Sequence, residues 1–161
     1  MREIPGYEGL YSVTTDGRVW SEPRVYVDGK VNPGKYLKPD VLATGRLQVT
    51  LYSRGKPTRY LVHRLVAMAY LSNPANLPVV RHLDDNPSNN TLNNLAWGTY
   101  QDNTNDSVSN GTHYGARQAQ CTKGHTYTEE NTYITTNGKR VCRECGKLRS
   151  REYRRNKKLQ R

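Results

Sequence analysis

Residues 61–106, LVHRLVAMAYLSNPANLPVVRHLDDNPSNNTLNNLAWGTYQDNTND, are the most informative part of the chain. Val62, Leu65, Val66, Ala69 and Tyr70 recur at helical spacing, so 62–71 reads as an amphipathic helix packed on a sheet. Asn73-Pro74 ends it, because the residue before a proline avoids the helical region. Leu77–Arg81 reads as a short strand. His82 follows, then a loop crowded with Asp, Asn and Pro, then a second strand-like piece at Leu95–Thr99. Tyr100–Asn110 is polar and free of proline, which allows a short helix. This order puts His82 and the first helical turn, around Asn103, at opposite ends of one compact unit. An imidazole facing a few oxygen ligands suits phosphodiester hydrolysis: the ring takes a proton from water while a metal holds the phosphate.

The pieces VHRLVAMAY (62–70), VVRHLDDNPSNN (79–90), NNLAWGT (93–99) and QDN (101–103) together resemble the HNH nucleases of the ββα-metal group, above all the phage and intron-encoded HNH homing endonucleases. The resemblance covers about a third of the chain. It implies that His82 is the general base, that Asn94 is a structural residue tying the loop to its backbone, and that Asn103 is a ligand of a catalytic Mg²⁺ or Mn²⁺. In those relatives an Asp that helps to bind the metal often precedes the catalytic His. Here that position is Arg81, which cannot ligate a cation. Asp106 lies three residues after Asn103, on the same face of a helix, and is the expected replacement ligand. Asp84, Asp85 and Asp102 come next. Arg81 is then expected on a DNA phosphate. His63 sits in an apolar helical run and reads as a packing or hydrogen-bonding residue.

Working outward, RLQVTLY (46–52) alternates Leu47, Val49 and Leu51 against polar neighbours, the pattern of a half-buried strand. Ser53-Arg54-Gly55-Lys56 is a basic turn, with Arg54 a candidate phosphate contact, and Thr58–Leu61 pairs back. Residues 22–40 hold Pro23, Pro33 and Pro39 and read as a loop or irregular hairpin. In residues 1–21, Asp16-Gly17 marks a hairpin turn between Tyr11–Val13 and Arg18–Trp20. IPGYEGLYSVTTDGRVWS also resembles a small module that often precedes HNH nucleases and is associated with DNA contact. Arg18 and Trp20 are read either as DNA contacts or as packing residues.

Cys121 and His125 are separated by three residues, and Cys142 and Cys145 by two. These four soft ligands are the set a tetrahedral structural Zn²⁺ takes, and they include every cysteine of the chain. Asn137-Gly138 between them is a hairpin signal. The chain after Cys145 reads as a helix with Arg143, Lys147, Arg151, Arg154 and Lys158 near one face, suited to tracking phosphates. CTKGHTYTEENTYITTNGKRVCRECGKLRSREYRR resembles the Cys/His modules at the end of some phage HNH endonucleases.

Of the net +11, residues 139–161 carry +9, with eleven Lys and Arg against Glu144 and Glu152, so the charge is concentrated in the tail. A basic segment of this kind binds polyanions by releasing their counterions. Hydrophobic residues make up 34% and Phe is absent, which is poor for one large core and favours a metal staple. Three clustered cysteines point to metal in a reducing cytoplasm rather than to a disulfide framework. No stretch approaches a membrane span, and MREIPGYEG lacks the apolar region of a signal peptide.

The expected fold is α+β: a β-rich DNA-contacting module at 1–60, an HNH core at 61–110, a linker at 111–120, and a zinc-ribbon or treble-clef-like module with a basic helix at 121–161. The expected activity is metal-dependent hydrolysis of double-stranded DNA by a phage-encoded, site-preferring enzyme, monomeric or a weak dimer, in the host cytoplasm. The rival readings are a catalytically inactive DNA-binding regulator on the same scaffold and, from the basic tail and twelve Tyr, an RNA-binding protein.

Overall fold

The structure is a computed structural model that describes residues 1–136 and 138–159. It divides into two compact units, Met1–Asn110 and Gly111–Arg161.

The first unit begins with strands β1 (Arg2–Glu3), β2 (Tyr11–Val13) and β3 (Val19–Ser21). A short hairpin follows, β4 (Arg24–Val25) and β5 (Val31–Asn32), and then β6 (Lys35–Tyr36). β1, β2, β3 and β6 make one antiparallel sheet in that order. β7 (Asp40–Val41), β8 (Leu47–Ser53) and β9 (Lys56–Leu61) make a second. The alternation read in β8 is realised: Val49 and Leu51 are buried while Tyr52 is exposed. Register Ser53↔Lys56 leaves Arg54 and Gly55 as a two-residue turn, both at positive φ (50° and 76°), the backbone such a tight hairpin requires.

Helix α1 (Val62–Tyr70) starts where β9 ends and buries Val62, His63, Leu65, Val66 and Ala67. β10 (Val79–His82) and β11 (Leu95–Gly98) pair antiparallel with His82 opposite Leu95. Helix α2 (Tyr100–Ser109) closes the ββα unit. Its start is fixed by a capping box in which the Thr99 hydroxyl accepts from the Asp102 amide and the Asp102 carboxylate accepts from the Thr99 amide.

The division expected at residue 60 falls inside one packed unit. Ile4, Val13 and Val19 share a single core with Leu65, Val80 and Leu95. Completely burying Leu65 stabilises that core by about 1.5–3 kcal/mol. Polar contacts join the same segments: the Tyr70 hydroxyl donates to the Val13 carbonyl at 2.9 Å. The 14–18 turn leans on the loop after His82, where the Leu92 amide donates to the Thr15 carbonyl at 2.7 Å. Gly17 sits at φ 85°, and a Cβ there would come within 2.8 Å of the Asn90 Cβ. Glycine is therefore needed both for the turn and for the close approach.

In the second unit, residues 111–120 include a short helix, α3 (Tyr114–Arg117). Arg140 Nη2 donates to the Gly115 and Gln118 carbonyls at 2.7 and 2.6 Å, which ties this segment to the Cys/His region. β12 (Thr132–Ile134) and β13 (Arg140–Cys142) form a hairpin, closed by Thr135 N–H to the Lys139 carbonyl at 2.9 Å. Asn137 of the expected Asn-Gly turn lies outside the described residues. Helix α4 (Arg143–Leu159) leaves β13 directly and is exposed from Arg149 onward. The architecture is α+β with small antiparallel sheets, and among the described residues no helix is long and apolar enough to cross a membrane.

Candidate active site and metal centre

Strand alternation sends Arg81 and His82 to opposite faces of β10. His82 faces inward, where its ring meets the His63 ring edge to face at 4.8 Å. His82 Nε2 lies 3.2 Å from Asn90 Oδ1. A carbonyl oxygen only accepts, so Nε2 carries the hydrogen and the lone pair of the neutral ring is on Nδ1. Burial lowers the His82 pKa below its ordinary 6.5, and the positive charge of Arg46 pushes the same way. The Asn90 bond and the carboxylates of Asp84 and Asp85 push back. The result is a base that stays neutral at neutral pH. His63 is driven down to about 3, by burial first and then by the charges of His82, Arg46 and Arg64. Its Nδ1 is buried without a hydrogen-bond partner.

Asn94 is spent on the loop. Its Nδ2 donates to Asp84 Oδ1 and to the Asn89 carbonyl, each at 2.8 Å, and its Oδ1 accepts from the Asp84 amide at 3.1 Å. Asp84 accepts in turn from the Asn86 amide and Asn89 Nδ2. Burial raises its pKa, yet these hydrogen bonds together hold it below the usual carboxylate value. The loop is therefore a closed polar network presenting His82 at one edge.

His82 and Asn103 line one cleft of about 350 Å³, together with Thr44, Arg46, Asp85 and Pro87. The expectation that they lie at opposite ends of the unit is corrected here, because α2 folds back along β10. Asp106, expected on the metal, and Arg81, expected on a DNA phosphate, face each other. Arg81 Nη1 and Asp106 Oδ2 are 2.5 Å apart, with side chains only 17% and 21% exposed. The acid is thus occupied by the cation that had displaced the usual carboxylate. Gly98 makes room for this, since a Cβ there would run into Arg81 Nε. Of the other acids, Asp102 caps α2, Asp84 holds the loop, and Asp85 lines the cleft.

Arg46 and Asn90 were not singled out in the sequence. Arg46 precedes an alternating strand far from His82 in the chain, and Asn90 is one of several loop Asn, so neither carries a local signal. Among the DNA-contact candidates, Arg18 is bonded to Asp16 at 2.8 Å and stacks over the Tyr36 ring at 4.9 Å, while Arg54 is exposed at its turn. On α4, Lys147 pairs with Glu144 at 2.7 Å and Arg143 Nε donates to the Thr132 carbonyl. Arg151, Arg154 and Lys158 are exposed.

The second unit gathers Cys121, His125, Cys142 and Cys145 with all ligand atoms within 4.8 Å of one another. Cys121 Sγ is 3.6 Å from Cys145 Sγ, and His125 Nδ1 is 3.4, 3.7 and 3.3 Å from the sulfurs of Cys121, Cys142 and Cys145. These are not bonded sulfurs. A tetrahedron with Zn–S of about 2.3 Å and Zn–N of about 2.0–2.1 Å has S···S edges near 3.8 Å and S···N edges near 3.6 Å, close to the spacing seen. Burial and the two neighbouring thiols push Cys145 up to about 11, while Cys121, despite its burial, and Cys142 are held below the ordinary thiol value by hydrogen bonds from backbone amides.

Residues 60–105 match the family model described as HNH endonuclease, and residues 2–52 match the NUMOD4 motif. An uncharacterized HNH endonuclease, L245, of Acanthamoeba polyphaga mimivirus is 40% identical over 58% of this chain and 26% of its own length. DNA endonuclease I-HmuI of Bacillus phage SP01 is 35% identical over 69% of this chain and 59% of its own length. The chain thus spans between a quarter and three-fifths of these curated relatives. A solved structure titled DNA binding and cleavage by the HNH homing endonuclease I-HmuI superposes with a TM-score of 0.57 at 34% identity, covering 72% of this chain and 62% of that one. These matches make the chain similar to the HNH endonucleases over residues 60–105 and to the phage homing enzyme I-HmuI over about two-thirds of its length, and the similar stretch is the one in which a histidine and an asparagine converge across a ββα unit.

Proposed function

We propose that the protein is a divalent-metal-dependent DNA endonuclease that hydrolyses phosphodiester bonds of double-stranded DNA at preferred sites, nicking or cutting it. The observation that carries this reading is the cleft shared by His82, with its lone pair on Nδ1, and Asn103. Neutral His82 takes a proton from a water molecule, and the oxygen attacks phosphorus as the bond to the 3′ oxygen breaks; the leaving 3′ oxygen takes a proton from a second water, giving a 5′ phosphate and a 3′ hydroxyl. Asn90 fixes the ring tautomer, and Asn94 keeps the loop in shape. The amide oxygen of Asn103 and the carboxylate of Asp85 are hard oxygen donors that fit Mg²⁺ or Mn²⁺, an ion that keeps most of its waters and takes phosphate oxygens. When bound, that ion supplies charge neutralisation at the phosphate and the leaving 3′ oxygen.

The Cys/His site fits a structural Zn²⁺, because the protein fills all four positions and leaves none for water. Arg18, Arg54 and the exposed face of α4 are the contacts to the duplex backbone. The enzyme acts in a reducing host cytoplasm as a monomer, whose single active site gives a nick, or as a weak dimer, whose two sites cut both strands.

A second reading, an inactive DNA-binding regulator, is favoured by one feature: the Arg81–Asp106 pair leaves a carboxylate-poor cleft. The test is supercoiled DNA incubated with metal-stripped protein and then with added Mg²⁺. Nicked circles that appear only after the addition support the endonuclease. Binding without nicking in Mg²⁺ or Mn²⁺ supports the regulator.

A further inference from the structure

We propose that Arg46 is a catalytic residue of this chain, gripping a nonbridging oxygen of the scissile phosphate in the cleft that it lines with His82 and Asn103. The inference rests on the endonuclease reading and extends it to a residue outside the stretch 60–105 matched by the HNH family.

Arg46 comes from the tip of the β7–β8 hairpin. The Leu42 amide donates to the Arg46 carbonyl at 2.9 Å and the Gly45 amide to the Leu42 carbonyl at 2.8 Å, which makes the tip a closed turn. Gly45, at φ 76°, lies against Pro87 so closely that a Cβ would sit 3.0 Å from the proline Cγ. The turn is thereby docked on the loop that follows His82, and it delivers Thr44 and Arg46 to the lining of the cleft. Among the described residues, no hydrogen bond or ion pair engages the Arg46 guanidinium, and its side chain is exposed. It is the one cation among the residues that line the cleft.

The chemistry of the cleft needs such a group. The side-chain oxygens of Thr44, Asn103 and Asp85 there are a hydroxyl, a neutral amide and a single carboxylate, and Arg81, the neighbour of His82 on β10, is held by Asp106. Negative charge grows on the phosphoryl oxygens as water attacks. A guanidinium fork matches those oxygens in shape, and it acts most strongly where water is excluded. The NUMOD4-like segment thus supplies part of the reaction centre as well as scaffold.

The test uses full-length protein loaded with zinc and Mg²⁺, on a plasmid that the unaltered protein nicks. Arg46→Ala, Arg46→Lys and His82→Ala are compared with the parent in single-turnover reactions at saturating protein. Arg46→Ala is expected to slow the bound complex by about 10²–10³-fold, the effect of removing one preorganised donor to a developing oxyanion. Its Kd for the same DNA should rise by less than about tenfold, since many other phosphate contacts remain. Millimolar guanidinium, against equal sodium chloride, should speed up Arg46→Ala and leave His82→Ala dead, and Arg46→Lys should fall between parent and Ala. An Arg46→Ala rate within about threefold of the parent at saturation, or a slow rate that guanidinium does not raise, would overturn the assignment. If Arg46→Ala is unimpaired while His82→Ala is dead, only Arg46 falls. If His82→Ala also cleaves normally, the endonuclease reading of the cleft falls with it.

Discussion

The Arg81–Asp106 pair makes a quantitative prediction. Exposed ion pairs contribute about 0.2–1 kcal/mol, whereas removing one partner of a buried pair costs about 3–5 kcal/mol. With side chains 17% and 21% exposed, this pair lies between the two. Asp102 also acts on Arg81 from the first turn of α2 and retains part of the attraction. Asp106→Ala should therefore destabilise the Met1–Asn110 unit by about 2 kcal/mol, near 8 °C in Tm for a unit of this size. A double-mutant cycle with Arg81→Ala should return a coupling of about 1–2 kcal/mol. The assay is urea unfolding followed by tryptophan fluorescence. The two tryptophans of the chain, Trp20 and Trp97, both lie in this unit, so the signal reports on it alone. The difference between parent and variant should be the same in Mg²⁺ and in chelator. A coupling below about 0.5 kcal/mol would refute the pairing, because a pair this buried cannot be worth so little. A parent stabilised by Mg²⁺ beside an Asp106→Ala variant that is not would return Asp106 to the metal.

Three further outcomes are expected. His63 has a folded pKa of about 3 against an ordinary 6.5, so it stabilises the fold fully above pH 6.5 and progressively less as pH falls towards 3. Stability from the tryptophan signal should drop by roughly 2 kcal/mol between pH 6.5 and 5 on this account, and His63→Leu, which leaves no orphaned ring nitrogen, should flatten the slope. Removing zinc with a chelator should melt the hairpin and the start of α4, lowering helical circular dichroism without moving the tryptophan spectrum; one zinc per chain should be measured beforehand. Cutting the chain after Ser150 removes Arg151, Arg154, Arg155, Lys157, Lys158 and Arg161. DNA affinity should then fall, and log K against log salt should become shallower by about 0.9 for each phosphate that is no longer neutralised.

What could be read from the sequence was local. The strand at Leu47–Ser53 and the helix at Val62–Tyr70 announce themselves by periodicity, and α2 by a polar run behind Thr99. The cysteine and histidine spacing gives the four-ligand cluster because Cys121 and His125 flank a turn closed by the Gly124 amide, while Cys142 ends β13 and Cys145 lies in the first turn of α4. What escaped was tertiary. Arg81 and Asp106 are twenty-five residues apart and meet only because α2 folds along β10. Arg46 reaches the cleft because a hairpin tip packs on Pro87, an approach that no periodicity encodes. A domain boundary was expected at residue 60 because the pattern changes there from strand to helix. Yet Ile4, Val13 and Val19 complete the hydrophobic surface that the ββα unit leaves open. A small fold poor in large apolar residues needs both segments for one core.

The central claim is that His82 is the base of a hydrolytic site, and the most direct measurement is the single-turnover nicking rate of His82→Ala beside the parent, in Mg²⁺ with DNA fully bound. The account predicts a rate lower by about 10²–10⁴-fold at nearly unchanged DNA affinity, because the ring moves a proton and does not dock the duplex. A His82→Ala preparation that nicks at the parent rate would contradict it.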